Sequence, residues 1–558
     1  MIVLLIIILI FIIPGAKAAD DIFLKAMQEE LKREYEVLNK NEPPVYYMAY
    51  RAEEIEEVYF NATLGILSDE NISHLRNFSI QVRIGSPQID NTHEIKGEGY
   101  SAALYMGMES ISIEDDEDVI KRDIWRLTHE EFMEGLARYQ MVMANEKVMA
   151  KAEDQSADYT LVEPKEDIRD ISFPDIDRNK WKEIIKKVSA VFRDYPDIYS
   201  STVDIEIVKK IKYYLDSSGR VLRYPHNYIR LYIFAFTRSE DGMPLFIHDS
   251  YSGFKGEELP EEKELILGAK ELADKLIKLK NVAIVEPYNG PAIFLPKAAG
   301  VFFHEVLGHR LEGDRQKSEK EGQTFTKKVN KKIVSPIISI IDDPTQQYYQ
   351  DKPLLGFYYY DDEGIAAQKA FLVKDGILNG FLMGRSPIKN FNSSNGHGRG
   401  ELGAYPTARQ ANLIITAKET VPFSKLRQML VEECKKRKKP YGLIFTDVSG
   451  GFTFTSRRLP QAFKVLPLEV YKVYADGRKD ELVRGADIVG TPLTALEKIL
   501  AVSDTSDVFN GFCGAESGSV PVSTVSPAIL VSEIEVEKKI KDMRRPPNLP
   551  SPLYGDKK

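Results

Sequence analysis

Pro296-Lys297-Ala298-Ala299-Gly300-Val301-Phe302-Phe303-His304-Glu305-Val306-Leu307-Gly308-His309-Arg310-Leu311-Glu312-Gly313-Asp314 reads as a short apolar helix carrying two histidines, with a glutamate directly after the first. Neutral imidazole is the commonest nitrogen ligand for zinc. A carboxylate beside such a ligand stands where a general base would serve a metal-dependent hydrolase. The spacing is H-E-x-x-x-H, at i and i+5, and not the i, i+4 of the familiar zinc-peptidase pattern. At about 100° per residue, histidines at i and i+4 lie ~40° apart, whereas those at i and i+5 lie ~140° apart. One ion cannot be gripped that way from a regular α-helix. The pattern therefore predicts a helix that is over-wide, through a π-bulge, or broken between His304 and His309. Gly308 makes the departure cheaper. Spacing alone leaves a second reading open, two unrelated histidines on an ordinary helix, one buried and one exposed.

A catalytic zinc usually has three protein ligands and one open position. Cys513 lies in Asn510-Gly511-Phe512-Cys513-Gly514, which reads as a glycine-flanked turn able to aim a side chain into a cleft. Thiolate binds zinc strongly. Cys434, in a basic helical stretch, is the rival. A disulfide between the two, or a free buried thiol, is the alternative for both in an oxidising compartment.

Further motifs follow in order: Leu311–Asp314, Pro406-Thr407-Ala408-Arg409-Gln410-Ala411-Asn412, Glu481-Leu482-Val483-Arg484-Gly485-Ala486-Asp487, and Cys513-Gly514 with Ser519-Val520-Pro521-Val522. Together with the histidine pair they resemble the TldD/PmbA family of zinc peptidases, whose catalytic members carry H-E-x-x-x-H and then Leu-Glu-Gly-Asp. The resemblance covers most of the C-terminal half. It implies Zn2+ held by His304, His309 and Cys513, with Glu305 as the base acting on a zinc-activated water. It implies an α+β, two-domain architecture: an N-terminal mixed sheet with long helices, and a C-terminal β-rich domain carrying the metal-binding helix. It also implies short or unfolded peptide substrates, bound as an added strand, and a homodimer or a heterodimer with a related subunit. The alternative is a non-catalytic metal-binding or scaffold subunit of such a dimer. The intact Glu305 favours the enzyme, because structural zinc needs no base beside its ligands.

At 558 residues the chain is long enough for two or more domains. Net charge is −9 with basic residues dispersed, which argues against a nucleic-acid surface. Two cysteines make no disulfide framework. Residues 2–13 are an unbroken apolar run, ended by Pro14 and followed by Ala16-Lys17-Ala18. The run reads as a signal peptide, residues 1–19, and is short for a bilayer span. The expected location is exported, periplasmic or secreted. An uncleaved segment would instead anchor the protein to a membrane.

The remaining pattern divides into an N-terminal α+β domain (20–285), a metallopeptidase domain (286–545) and a flexible Pro-rich tail (546–558). Helices are expected over 20–40, 117–153, 181–192, 261–279 and 422–437, with a short one over 491–502. Strands are expected within 45–115, a hairpin over 205–224 with strands onward to 250, a strand over 292–295, a hairpin over 468–484, and strands over 520–536. Residues 154–178 read as a linker or excursion, and 315–331 as a flap or solvated loop. The Gly-rich stretch 392–400 reads as a loop bordering the cleft, with His397 either a polar group there or a surface residue. His74, His93, His129, His226 and His248 are solitary and are read as packing or surface residues.

Overall fold

The computed structural model describes residues 21–97, 106–148, 150–458, 461–539, 544–545, 547 and 549–554. The apolar run and the signal-peptide site fall outside the described residues. Among those described, no helix is long and apolar enough to cross a membrane.

The N-terminal half is an eight-stranded, largely antiparallel sheet. After helix α1 (Ile22–Leu38), strands β1 (Val45–Thr63) and β2 (Ile66–Ser86) form one long hairpin. Its two-residue turn, Leu64-Gly65, has positive φ at both positions, the twist that a tight hairpin requires. Helices α2 (Glu117–Val148) and α3 (Arg178–Ala190) follow. Strands β3 (Ser200–Asp216), β4 (Val221–Arg238) and β5 (Pro244–Gly253) complete the main ladder, and α4 (Glu262–Asn281) ends the half. The two strands expected over 221–237 are one. The excursion 154–178 contributes a short strand, 166–168, parallel to the start of β4.

Strand alternation gives this sheet two different faces. One face carries Met48, Tyr50, Val58, Phe60, Val203, Ile205, Leu231 and Ile233, and is covered by the four helices. The opposite face carries Tyr47, Arg51, Lys212, Tyr214, Tyr224 and Arg230. Polar and aromatic, it docks on the C-terminal half. Arg51 donates to the carbonyls of Gly400 (2.8 Å) and Ala404 (3.1 Å), and Lys212 to Asp362 (2.7 Å). Arg385, wholly buried, reaches from the C-terminal half to Tyr47 Oη (2.9 Å) and Asp216 (3.3 Å).

The C-terminal half is built on an eleven-stranded sheet. In chain order its principal elements are β6 (Tyr288–Phe294), α5 (Pro296–Val306), β7 (Ile338–Asp342), β8 (Asn412–Ala417), α6 (Phe423–Lys436), β9 (Tyr441–Thr453), β10 (Phe463–Tyr474), β11 (Ala486–Gly490), β12 (Ile499–Ala515) and β13 (Gly518–Lys538). Strand β13 pairs with both β11 and β6, so the run β6-β9-β10-β11-β13 closes on itself. Helix α5 packs against β13, β9 and β12, and is buried without interruption from Ala298 to Val306. A helix apolar on all sides belongs in such a core. Pro296 opens it, where the missing N–H costs nothing.

Three expectations need correction. The helix expected over 491–502 stops at Glu497. Ile499 onward joins β12, where cross-strand partners such as Val531 override helical propensity. Residues 315–331 are not a solvated flap: Arg315, Gln316, Glu321 and Phe325 are buried, the charges being paired and Phe325 joining the core. His397 neither borders the cleft nor lies on the surface. It is fully buried, against Asn395 and the Asp342 carboxylate.

Candidate metal centre

Helix α5 ends two residues after His304. Its last helical residue is Val306, and Leu307 leads into a 3-10 turn over Gly308–Leu311. The helix is thus broken between the two histidines, with no π-bulge. The break swings His309 back toward His304, and the two rings stand 4.9 Å apart, nearly perpendicular. Gly308 leaves room for the Gln410 amide: a Cβ there would sit 1.8 Å from Gln410 Oε1 and would have to displace it. Arg310 secures the helix end. It donates to the carbonyls of Glu305 (2.9 Å) and Val306 (3.3 Å), and to Thr453 Oγ1 (2.8 Å) at the end of β9.

Cys513 arrives from β12, in register with Val520 of β13. It lies in a strand, not in the turn its flanking glycines suggest, because the ladder continues through Gly514 and Ala515. Its Sγ is 3.2 Å from His304 Nε2 and 3.4 Å from His309 Nε2. The two nitrogens and the sulfur all lie within 4.8 Å of one another. Tetrahedral zinc, with ~2.05 Å to nitrogen and ~2.3 Å to sulfur, separates such ligands by roughly 3.6 Å. The donor set therefore fits zinc in type and in spacing. Cys434 is remote from this cluster, buried against Leu426 and Leu430, and both cysteines are free thiols.

The surroundings tune each member. Glu312, wholly buried, accepts from His309 Nδ1 (3.1 Å) and from Arg315 Nε (2.7 Å). With Nδ1 as the donor, the Nε2 lone pair of His309 faces the cluster, an arrangement typical of metal-ligating histidines. Burial opposes ionisation of Glu312, yet His309 and Arg315 hold its carboxyl down at about 2. Burial likewise disfavours a Cys513 thiolate, but the two imidazoles hold the thiol well below its usual range. By contrast, burial, helped by Glu433, pushes the Cys434 thiol up to about 11. Burial raises the Glu305 carboxyl as well, against the pull of both histidines. A carboxyl raised toward neutrality suits a group that must both take and return a proton.

The motifs around the centre act as its frame. Asp314 accepts from the Ala408 N–H (2.6 Å). Arg409, fully buried, donates to the Cys513 carbonyl (2.5 Å), Ser517 Oγ and the Gly518 carbonyl, holding the turn between β12 and β13. Gly451 of β9 passes close to the base: a Cβ there would lie 2.6 Å from Glu305 Cγ.

His304, Glu305, His309 and Cys513 line a cleft of about 740 Å³. Its other wall comes from the N-terminal half, through Arg230 and Tyr232 of β4 and His248 and Ser250 of β5. Sequence reading left these four without a role and set His248 aside as solitary. The order of residues carries no sign that β4 faces the metal cluster. Glu312 was more accessible, since a carboxylate three residues beyond a ligand histidine can reach its Nδ1.

The buried two-imidazole, one-thiol cluster, in an α+β architecture, is a candidate metal centre. Residues 287–538 match the family model of the PmbA/TldA metallopeptidase C-terminal domain. A metalloprotease TldD homolog of Haemophilus influenzae is 31% identical over 283 residues, which is 49% of this chain and 53% of that protein. A zinc metalloprotease TldD homolog of Saccharolobus solfataricus is 27% identical over 251 residues, 44% of this chain and 51% of that one. Each of these matches thus spans about half the length of the curated relative. The crystal structure of TldE from Thermococcus kodakarensis shares the fold across 92% of this chain and 100% of that one, with a TM-score of 0.58 at 15% identity.

Proposed function

We propose that the protein is an exported, zinc-dependent peptidase that hydrolyses peptide bonds in short or unfolded peptides. The observation that carries this reading is the convergence of His304 Nε2, His309 Nε2 and Cys513 Sγ beside the Glu305 carboxylate, in a cleft large enough for a peptide segment. His304, His309 and Cys513 would hold the metal. Zinc bound there would supply a Lewis acid and would lower the pKa of a coordinated water toward neutrality. Glu305 moves the protons: its carboxylate takes one from the attacking water and passes it to the leaving amine. Glu312 fixes the His309 ring, and Arg310 fixes the helix end that presents Glu305. The names of the relatives support metallopeptidase chemistry, and the apolar run at 2–13 supports export. Assembly is proposed as a homodimer, or as a pair with a related subunit.

The test is metal analysis joined to digestion of a peptide mixture. The wild-type chain should hold about one zinc and cleave peptides. Glu305→Gln should keep the zinc and lose cleavage by about 10²–10⁴-fold, the usual contribution of a general base. Zinc without cleavage in the wild type would favour the scaffold-subunit reading. Loss of zinc from a folded Glu305→Gln chain would make Glu305 a ligand. N-terminal sequencing of the exported protein should begin near Ala19 or Asp20, and a start at Met1 would replace the signal peptide by an anchor.

A further inference from the structure

The cleft wall opposite the metal cluster contains a cation with no hydrogen-bond or ion-pair partner among the described residues. The arginines around the centre are committed to protein groups: Arg310 to carbonyls, Arg315 to Glu312, Glu321 and Glu516, Arg399 to the carbonyls of Gln410 and Pro521, and Arg409 to the β12–β13 turn. Arg230 differs. Its guanidinium lies 5.5 Å from the ring centre of Tyr232 and 5.3 Å from that of Phe512, the residue preceding Cys513. It makes no hydrogen bond or ion pair among the described residues.

The acids nearest to it in register feel its charge, but their hydrogen bonds go to other groups. Glu206 of β3 is directly cross-strand from Arg230, and its carboxylate accepts from Tyr228 Oη at 3.0 Å. Asp204, cross-strand from Tyr232, accepts from Tyr59 Oη at 3.0 Å and from Asn61. Aromatic rings support the flat face of a guanidinium and leave its N–H edge free. That edge presents paired donors matched to a carboxylate. Arg230 lines the same cleft as the metal cluster and rests on the ring beside its thiolate.

We propose that Arg230 is the anion-recognising residue of this cleft, binding a carboxylate of the peptide substrate. The carboxylate is supplied either by the peptide's free C-terminus or by an acidic side chain near the scissile bond. The proposal rests on the peptidase reading and narrows its substrate class. It makes the cleft selective although the chain as a whole is acidic, with 84 acidic against 75 Lys and Arg residues. The cation is local and directed, and in the cleft it acts on a substrate partly removed from water.

The experiment uses the full-length, zinc-loaded protein and a peptide that it cleaves. Four forms of the peptide are compared: free acid, C-terminal amide, acidic side chains replaced by amides, and both changes together. Removing the recognised carboxylate should lower kcat/KM by about 10–100-fold, the range of a charge-assisted hydrogen-bonded pair. Whether the C-terminal or the side-chain change does so identifies the source. Arg230→Met should lower kcat/KM for the carboxylate peptide to the level of the amide, chiefly through KM, and leave the amide unchanged. Arg230→Lys should restore part of the difference. Circular dichroism and zinc content should match the wild type. A wild type that cleaves all four forms equally, or an Arg230→Met chain that loses activity equally on acid and amide, would overturn the assignment while leaving the peptidase reading intact. The four peptides are also titrated into the zinc-loaded Glu305→Gln chain by fluorescence anisotropy. If wild type cleaves nothing but this binding depends on the carboxylate and on Arg230, the peptidase reading falls and the anion site stands. Binding indifferent to the carboxylate removes the site.

Discussion

Two of the buried polar clusters among the described residues differ in what their polar atoms face. At the seam between the halves, Arg385 and Asp216 are both fully buried, and Tyr47, Tyr214 and the Thr160 carbonyl complete the set. Arg385 Nε and Nη1 have protein acceptors there, and the guanidinium, whose Nη2 has no acceptor, lies over the Tyr47 and Tyr159 rings. At the metal centre, two imidazole nitrogens and a thiol face one another across 3.2–3.4 Å, with the outer side of His309 already satisfied by Glu312. Their inner donor atoms converge on one point. A network whose charges pair within the protein holds the fold together, whereas donor atoms that converge on one point are placed to hold something else. The cysteines repeat the contrast: burial raises the Cys434 thiol among leucines, while paired imidazoles lower the Cys513 thiol.

Cutting the seam network should produce the largest effect on stability. Arg385→Met leaves the Asp216 carboxylate buried without its cation, and should cost about 3–5 kcal/mol in urea unfolding. Zinc stoichiometry of the molecules that remain folded should not change. A loss below about 1 kcal/mol would mean that the seam relaxes or admits water, and would weaken the contrast.

The same seam should give a pH signature. Glu363 accepts from the Arg385 N–H and is raised to about 7 by burial, with Asp361 beside it also pushed up. A folded-state carboxyl raised above its unfolded value is most favourable when protonated. Its contribution is therefore fully present below about pH 4.5 and is lost as pH rises toward about 7, by on the order of 3 kcal/mol. Glu363→Gln, which keeps an acceptor for Arg385, should flatten that part of the stability–pH curve. An unchanged slope would place the titration on Asp361 or elsewhere.

At the open cluster, Glu312→Gln should act on the metal more than on the fold. It weakens the hold on His309 Nδ1, and should lower zinc affinity by about 10–100-fold in a chelator competition. An unchanged affinity would show that the 3-10 turn alone sets the ring.

How much of this was legible in the sequence follows the same division. His304, Glu305 and His309 stand within one short stretch, and their i+5 spacing already required the helix to break. Cys513 had the right chemistry, although β12 carries it as a strand residue and not on a turn. Glu312 sat in a motif that was seen but given no role. The seam and the opposite cleft wall were not legible. Tyr47, Tyr214, Arg230 and Tyr232 lie on strands of which both faces are covered, one by helices and one by the other half of the chain. Alternation names the faces but not what each will meet. His397 was misread for a related reason: a Gly-rich loop signals a turn in the backbone, not whether that turn is buried.

The central claim is that His304, His309 and Cys513 bind one metal ion together. Zinc K-edge X-ray absorption on the stoichiometrically loaded protein tests it most directly. The account predicts one sulfur at about 2.3 Å and two imidazole nitrogens at about 2.0–2.1 Å, with the sulfur shell absent in a folded Cys513→Ala chain. A spectrum with no sulfur in the wild type, or one unchanged by Cys513→Ala, would contradict it.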